Sequence, residues 1–172
     1  VPNLHSSLFN QLTHPSSVAP SPPLPQTTLV RNPASGQFED VMWKDVHVGD
    51  MIKLGDRDWI PTDVLLLTSS ADDGAAYIDT MDLDGETNLK RRASPKATAG
   101  TALEDCGKLT SCVLKCAGPS GDLYRWDGAL KVTEDKTAAV SSDNMLLRSS
   151  RLRNTKWAVG VVIYTGQESK VM

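Results

Sequence analysis

Val64-Leu65-Leu66-Leu67-Thr68, Ala76-Tyr77-Ile78 and Asp82-Leu83-Asp84-Gly85-Glu86-Thr87-Asn88-Leu89-Lys90-Arg91-Arg92 organise the reading of the whole chain. The first two runs are short and apolar and predict strands; Asn88-Leu89 predicts the start of another. Val64 to Leu67 is too short for a buried helix and suits a strand covered on both faces. At the acidic centre, Asp84-Gly85 favours a tight turn, because Gly tolerates positive φ.

Two readings of that centre are open from the residues alone. Asp-Gly between apolar runs is commonly a hairpin turn with solvated carboxylates. The same residues also suit phosphate chemistry. Gly85 lacks the Cβ that would block close approach of another molecule. Glu86 can orient a water or accept its proton, and Thr87 can donate a hydrogen bond.

Working outward, residues 1–36 differ from the rest. Seven of the ten prolines lie there, and Arg31 is the only Lys, Arg, Asp or Glu. Proline lacks an N–H and fixes φ, so Ser16 to Pro25 predicts an extended, flexible tail. The folded part is expected from residue 37 onward, as one domain through Met172. Phe38–Trp43 and Met51–Leu54 read as strands, with Gly49-Asp50 a turn between them. A short helix is expected around Thr101–Cys106. Leu109–Cys116 and Leu123–Val132 read as strands split by Gly118-Pro119-Ser120-Gly121. Thr133–Asn144 reads as a polar loop. Met145–Leu147 and Trp157–Tyr164 predict strands, and Gln167–Met172 the start of a helix. Many short strands with Gly turns and little helical periodicity argue for a mainly β fold, a sandwich or distorted barrel.

Composition excludes several function classes. A net charge of −3 leaves no basic footprint for nucleic acid. The longest apolar stretch, Trp157-Ala158-Val159-Gly160-Val161-Val162-Ile163-Tyr164, is well short of the roughly 20 residues of a membrane-spanning helix. The start lacks the basic and apolar regions of a secretory leader, and a chain beginning at Val1 fits a piece of a longer protein. Cys106, Cys112 and Cys116 are odd in number and not at a usual zinc spacing, so reduced thiols are expected and no metal site. No Walker-type loop, Gly-x-Ser-x-Gly elbow or His-Glu-x-x-His motif occurs.

Tyr77-Ile78-Asp79-Thr80-Met81-Asp82-Leu83-Asp84-Gly85-Glu86-Thr87-Asn88-Leu89-Lys90 resembles the actuator-domain motif of type IV P-type ATPases, the phospholipid flippases. A second stretch, Leu146-Leu147-Arg148-Ser149-Ser150-Arg151-Leu152-Arg153-Asn154-Thr155-Lys156-Trp157 followed by Gly160 to Gly166, resembles the same family. Two matches in the right order are more specific than one. The resemblance covers roughly Phe38 to Met172. Asp135-Lys136-Thr137 resembles the start of that family's phosphorylation motif but continues as Ala138-Ala139, not Gly-Thr, so it is rejected as the phosphate acceptor.

The resemblance implies a distorted jelly roll, or double-stranded β-helix, forming a cytosolic domain of an integral membrane protein. It implies that Glu86 positions and deprotonates the water that attacks an aspartyl phosphate on the phosphorylation domain. Asp84, Gly85 and Thr87 would shape the loop, and Asn88 and Lys90 would support it. Arg148, Arg153, Asn154 and Thr155 would be candidates for contact with a neighbouring domain. ATP and Mg²⁺ would belong to the parent enzyme and not to this fragment, which by itself is expected to lack ATPase activity. Expected partners are the parent's phosphorylation and nucleotide-binding domains, a phospholipid substrate and a membrane-embedded β-subunit. Ser149 departs from the pattern, which usually has Gly there; if the position needs positive φ, Ser strains it. Two alternatives stand: the actuator of a cation pump, which usually carries Thr-Gly-Glu, or a non-enzymatic β-sandwich interaction module.

Overall fold

The all-apolar run in β4 (Asp63–Ser69) explains the architecture. All seven of its residues are buried. Side chains alternate across a strand, so Val64 and Leu66 enter one core while Leu65 and Leu67 enter a second on the opposite face. A strand with two buried faces must be covered by a layer on each side. In the computed structural model, which describes residues 26–119, 122 and 125–169, that is the arrangement found.

The central layer is a six-stranded sheet in the order β10-β4-β12-β3-β1-β2. Its remaining strands are β1 (Thr27–Arg31), β2 (Phe38–Met42), β3 (Met51–Gly55), β10 (Met145–Leu146) and β12 (Trp157–Tyr164). A three-stranded sheet, β11-β5-β6, contributes Ala76, Ile78 and Leu152 to the first core. It consists of β5 (Ala75–Asp79), β6 (Lys90–Ala93) and β11 (Arg151–Arg153). The second core draws on another three-stranded sheet, β7-β8-β9, formed by Val113–Cys116, Asp127–Thr133 and Lys136–Ser141. Leu130 and Val140 of that sheet join Cys106 and Leu109 of a 3-10 segment, Leu103–Ser111, to close it. The strand pairings are antiparallel throughout. The mainly β fold expected from the sequence is the fold found.

Gly160 shows how tightly β4 and β12 are joined. A Cβ there would lie 2.4 Å from Val64 Cγ1 and 2.5 Å from the Leu65 carbonyl oxygen. The register shifts between Val159 and Gly160, so this strand bends where its side chain is missing.

Several expectations are corrected. Thr27–Arg31, placed in the tail from the sequence, belongs to the fold, because it pairs with both β2 and β3 and buries Thr28 and Val30. Four of those five residues, Thr27 to Val30, are β-branched or apolar, and the prolines before them disguised the strand. The proline-rich stretch through Pro25 lies outside the described residues. Thr133–Asn144 is not a loop: Glu134-Asp135 is the turn of a hairpin, and Lys136–Ser141 is β9. The resemblance to a phosphorylation motif at Asp135-Lys136-Thr137 therefore falls on a hairpin end. The 3-10 segment occupies Leu109–Ser111, so β7 starts only at Val113; β8 covers Asp127–Thr133 with Arg125 and Trp126 outside it, and residues 123–124 lie outside the described residues. Asn88-Leu89 precedes β6 instead of belonging to it. Gly166–Glu168 is a 3-10 turn, and residues 170–172 are not described.

Candidate functional site

The acidic centre is not the hairpin turn the sequence favours. Met81–Asp84 forms a single turn of α-helix, α1, and Gly85 closes it in the left-handed region at φ 74° and ψ 2°. The Gly85 N–H donates to the Met81 carbonyl at 3.0 Å. This is a helix C-terminus ended by glycine, so the requirement for positive φ is met by a different motif. Leu83 packs on the second core and anchors the turn. No heavy atom outside its chain neighbours lies within 4 Å of a Cβ built at Gly85. The glycine is thus required here by its backbone angle, and the space beside it is open.

Asp84 is the hub of the loop. The buried Thr80 hydroxyl faces its two carboxylate oxygens at 3.1 and 3.2 Å, donating to the carboxylate. The Glu86 N–H donates to Asp84 Oδ1 at 3.1 Å, fixing the chain two residues on. Lys90 at the start of β6 donates to Asp84 Oδ2. That ammonium also lies 3.1 Å from Glu86 Oε2. The Asp84 and Lys90 side chains are only 16% and 18% exposed, whereas the Glu86 side chain is 60% exposed. The stem is therefore sheltered and the Glu86 carboxylate presented outward. Gly85, Thr87 and Asn88 are exposed beside it.

Lys90-Arg91-Arg92 do not form one basic patch. On a strand, successive side chains point to opposite faces. Arg91 pairs with Asp73 at 2.9 Å, and Arg92, on the same face as Lys90, lies 3.8 Å from Asp143. The Ala75 N–H and then the Arg91 side chain hold the Asp73 carboxyl below its ordinary range, and Asp73 in turn raises Arg91.

Phospholipid-transporting ATPase C887.12 of Schizosaccharomyces pombe (strain 972 / ATCC 24843) is 43% identical over 137 residues, 78% of this chain and 11% of that protein. Phospholipid-transporting ATPase DNF1 of Saccharomyces cerevisiae (strain ATCC 204508 / S288c) is 40% identical over 141 residues, 79% of this chain and 9% of that one. The chain belongs to the phospholipid-transporting ATPase family. Phospholipid-transporting ATPase VA of Homo sapiens is 39% identical over 144 residues, 84% of this chain and 10% of its own length. The chain thus spans about a tenth of the length of these flippase relatives. No family model matches it. A zinc-transporting PIB-type ATPase in an E2.Pi state superposes at a TM-score of 0.49 and 15% identity, over 85% of this chain and 15% of that one, a level that carries no residue role.

The second flippase-like stretch sits apart from the Asp84–Lys90 network in its contacts. The Arg148 guanidinium donates to the Gly166 carbonyl at 2.9 Å and reaches Ser169 Oγ at 3.4 Å. Its N–H donates to the fully buried Asp63 at 2.9 Å. Arg153 and Thr155 are tied to β5 instead: Arg153 pairs with Tyr77, and the Tyr77 N–H donates to Thr155 Oγ1 at 3.2 Å. Asn154 makes the turn into β12 at φ 50°. Ser149, where the resemblance led to the expectation of Gly, lies at φ 62°, so the position does need the left-handed conformation.

Thr80 joins the candidate site through Asp84, although the sequence reading did not single it out. Its spacing of four from Asp84 is the signal, but only once α1 is known to be helical. An apolar cavity of about 530 Å³ lies between the 3-10 segment, β7 and the central sheet, lined by residues such as Met51, Leu109 and Leu114. No residue from Asp84 to Lys90 lines it. Among the described residues, no group of three or more His, Cys, Asp or Glu is placed to hold a metal ion.

Proposed function

We propose that this chain is the actuator domain of a phospholipid-translocating P-type ATPase, and that its Asp84-Gly85-Glu86-Thr87 loop completes dephosphorylation of an aspartyl phosphate carried on another domain. The observation that carries this reading is the Glu86 side chain, 60% exposed on a loop whose stem is tied down by Thr80, Asp84 and Lys90. A hydrolytic base must reach outward yet be held in place. In this reading the acceptor lies on another domain of the same parent chain.

In this reading Glu86 takes a proton from a water held in line with the phosphorus. The water oxygen bonds to phosphorus as the bond to the aspartyl oxygen breaks, and the free carboxylate and inorganic phosphate result. Gly85 lets the loop approach the phosphoryl group, with no side chain to collide with it. Thr87 offers a hydroxyl donor at the same tip. ATP and Mg²⁺ belong to the parent's other domains. Its partners are those domains, the phospholipid whose movement is coupled to the cycle, and a membrane-embedded β-subunit. The domain itself works in the cytosol. Among the described residues no helix is long and apolar enough to cross a membrane.

The test is steady-state labelling of the full-length parent. Glu86→Gln should accumulate phosphoenzyme from ATP while lipid-stimulated turnover falls by about 10²-fold or more, the usual contribution of a general base. Turnover and phosphoenzyme level both equal to wild type would overturn the assignment.

A further inference from the structure

Glu86 raises a positional problem that its own loop does not solve. A carboxylate on a rotamer-rich side chain, 60% exposed, samples many orientations, and each costs alignment with a water. It must also approach a phosphoryl group of its own sign, which it repels at short range. Both difficulties are met by one neighbour. Lys90 Nζ is 3.1 Å from Glu86 Oε2 and also contacts Asp84 Oδ2. Asp84 is itself held by Thr80 and by the Glu86 N–H. Lys90 begins β6 and pairs in register with Ile78 of β5, which lies in the first core. The ammonium is therefore located by the sheet and by Asp84, not by Glu86. It stands as a fixed point from which Glu86 is oriented.

We propose that Lys90 is a positioning residue for dephosphorylation: it aims the Glu86 carboxylate and offsets its repulsion from the incoming phosphoryl group. This rests on the reading of Glu86 as the base. Asp84 then has two jobs, holding the Glu86 N–H and holding Lys90 in place, and the cation needs no contact with the reacting atoms to act. A compact ammonium suits a point between two carboxylates.

The experiment is a double-mutant cycle on phosphoenzyme decay in the full-length ATPase. Glu86→Gln, Lys90→Met and the double variant are each phosphorylated and chased. Lys90→Met alone should slow decay by about 10-fold, a fraction of what a general base contributes. In the Glu86→Gln background the same change should cost under about twofold, because residues that act through one another are not additive. Lys90→Arg, which keeps the charge, should recover most of the rate. If Lys90→Met fails to form phosphoenzyme, Lys90→Gln, which keeps a donor for Asp84, carries the same cycle with the same expected coupling. A wild-type decay rate in the Lys90 variant, or an equal loss in both backgrounds, would overturn the proposal while leaving Glu86 as the base. An unchanged rate in Glu86→Gln would instead remove the base reading itself.

Discussion

The hydroxyl of Thr80, 1% exposed, donates to the carboxylate of Asp84 four residues later, lying 3.1 and 3.2 Å from its two oxygens. This contact ties the last turn before the loop to the end of β5. Thr80→Val keeps the shape and removes the donor, so it isolates the hydrogen bond. We expect a loss of about 1 kcal/mol in unfolding free energy, typical of one such bond, and a severalfold slower phosphoenzyme decay in the parent. A denaturant titration alongside the chase separates the two effects. A rate unaffected by the change would show that the stem does not need Thr80.

Gly85 separates folding from docking. Its backbone is left-handed, but a Cβ there meets no other atom within 4 Å. Gly85→Ala should therefore cost only about 1 kcal/mol of stability, from the backbone angle. Its effect on dephosphorylation should be far larger, since in the proposed docking the new methyl group would face the phosphoryl group. Melting temperature and phosphoenzyme lifetime are the two readouts. Parallel small losses in both would contradict a close approach at this residue.

Ser149 stores strain that a glycine would relieve. It is exposed, at φ 62°, and its N–H donates to the Ile60 carbonyl at 3.0 Å. Ser149→Gly preserves that backbone bond. The gain is offset in part by the freer unfolded chain, leaving about 0.5–1 kcal/mol of net stabilisation. Thermal unfolding should shift upward by about 2–4 °C. A downward shift would mean that the Ser side chain contributes more than its backbone angle costs.

The three cysteines should differ in reactivity in an order set by burial. Cys106 is buried, Cys112 half-buried and Cys116 exposed. Burial raises the Cys106 and Cys112 thiols, in Cys106 against an opposing pull from Arg31. A raised thiol has less thiolate at a given pH, and the thiolate is the nucleophile. Alkylation followed by peptide mass spectrometry should label Cys116 first and Cys106 last. Raising the pH should narrow the gap for Cys112 before Cys106. Early labelling of Cys106 would show that the 3-10 segment opens readily.

How much of this was legible in the sequence depends on how local the cause is. β4 and β12 could be read directly, because strands buried on both faces carry continuous apolar runs. Thr27–Arg31 was hidden by its proline-rich neighbourhood, although its own residues favour a strand. β9 was hidden because Lys136-Thr137-Ala138-Ala139-Val140-Ser141 buries only Val140 and so shows little alternation. At the candidate site, Gly85's positive φ was legible and the helical turn that demands it was not. A single turn has too few residues for a 3.6-residue period to register. The Thr80–Asp84 contact follows from that turn and was invisible with it. Lys90 could be singled out in the sequence only through the family resemblance. Its position between Asp84 and Glu86 needed the β5–β6 pairing to place it.

The claim on which the account rests is that Glu86 removes a proton during hydrolysis of the aspartyl phosphate. The most direct measurement is the decay of radiolabelled phosphoenzyme in the full-length ATPase after a chase with unlabelled ATP, comparing wild type with Glu86→Gln. The account predicts normal formation and a lifetime longer by about two orders of magnitude. A lifetime indistinguishable from wild type would contradict it.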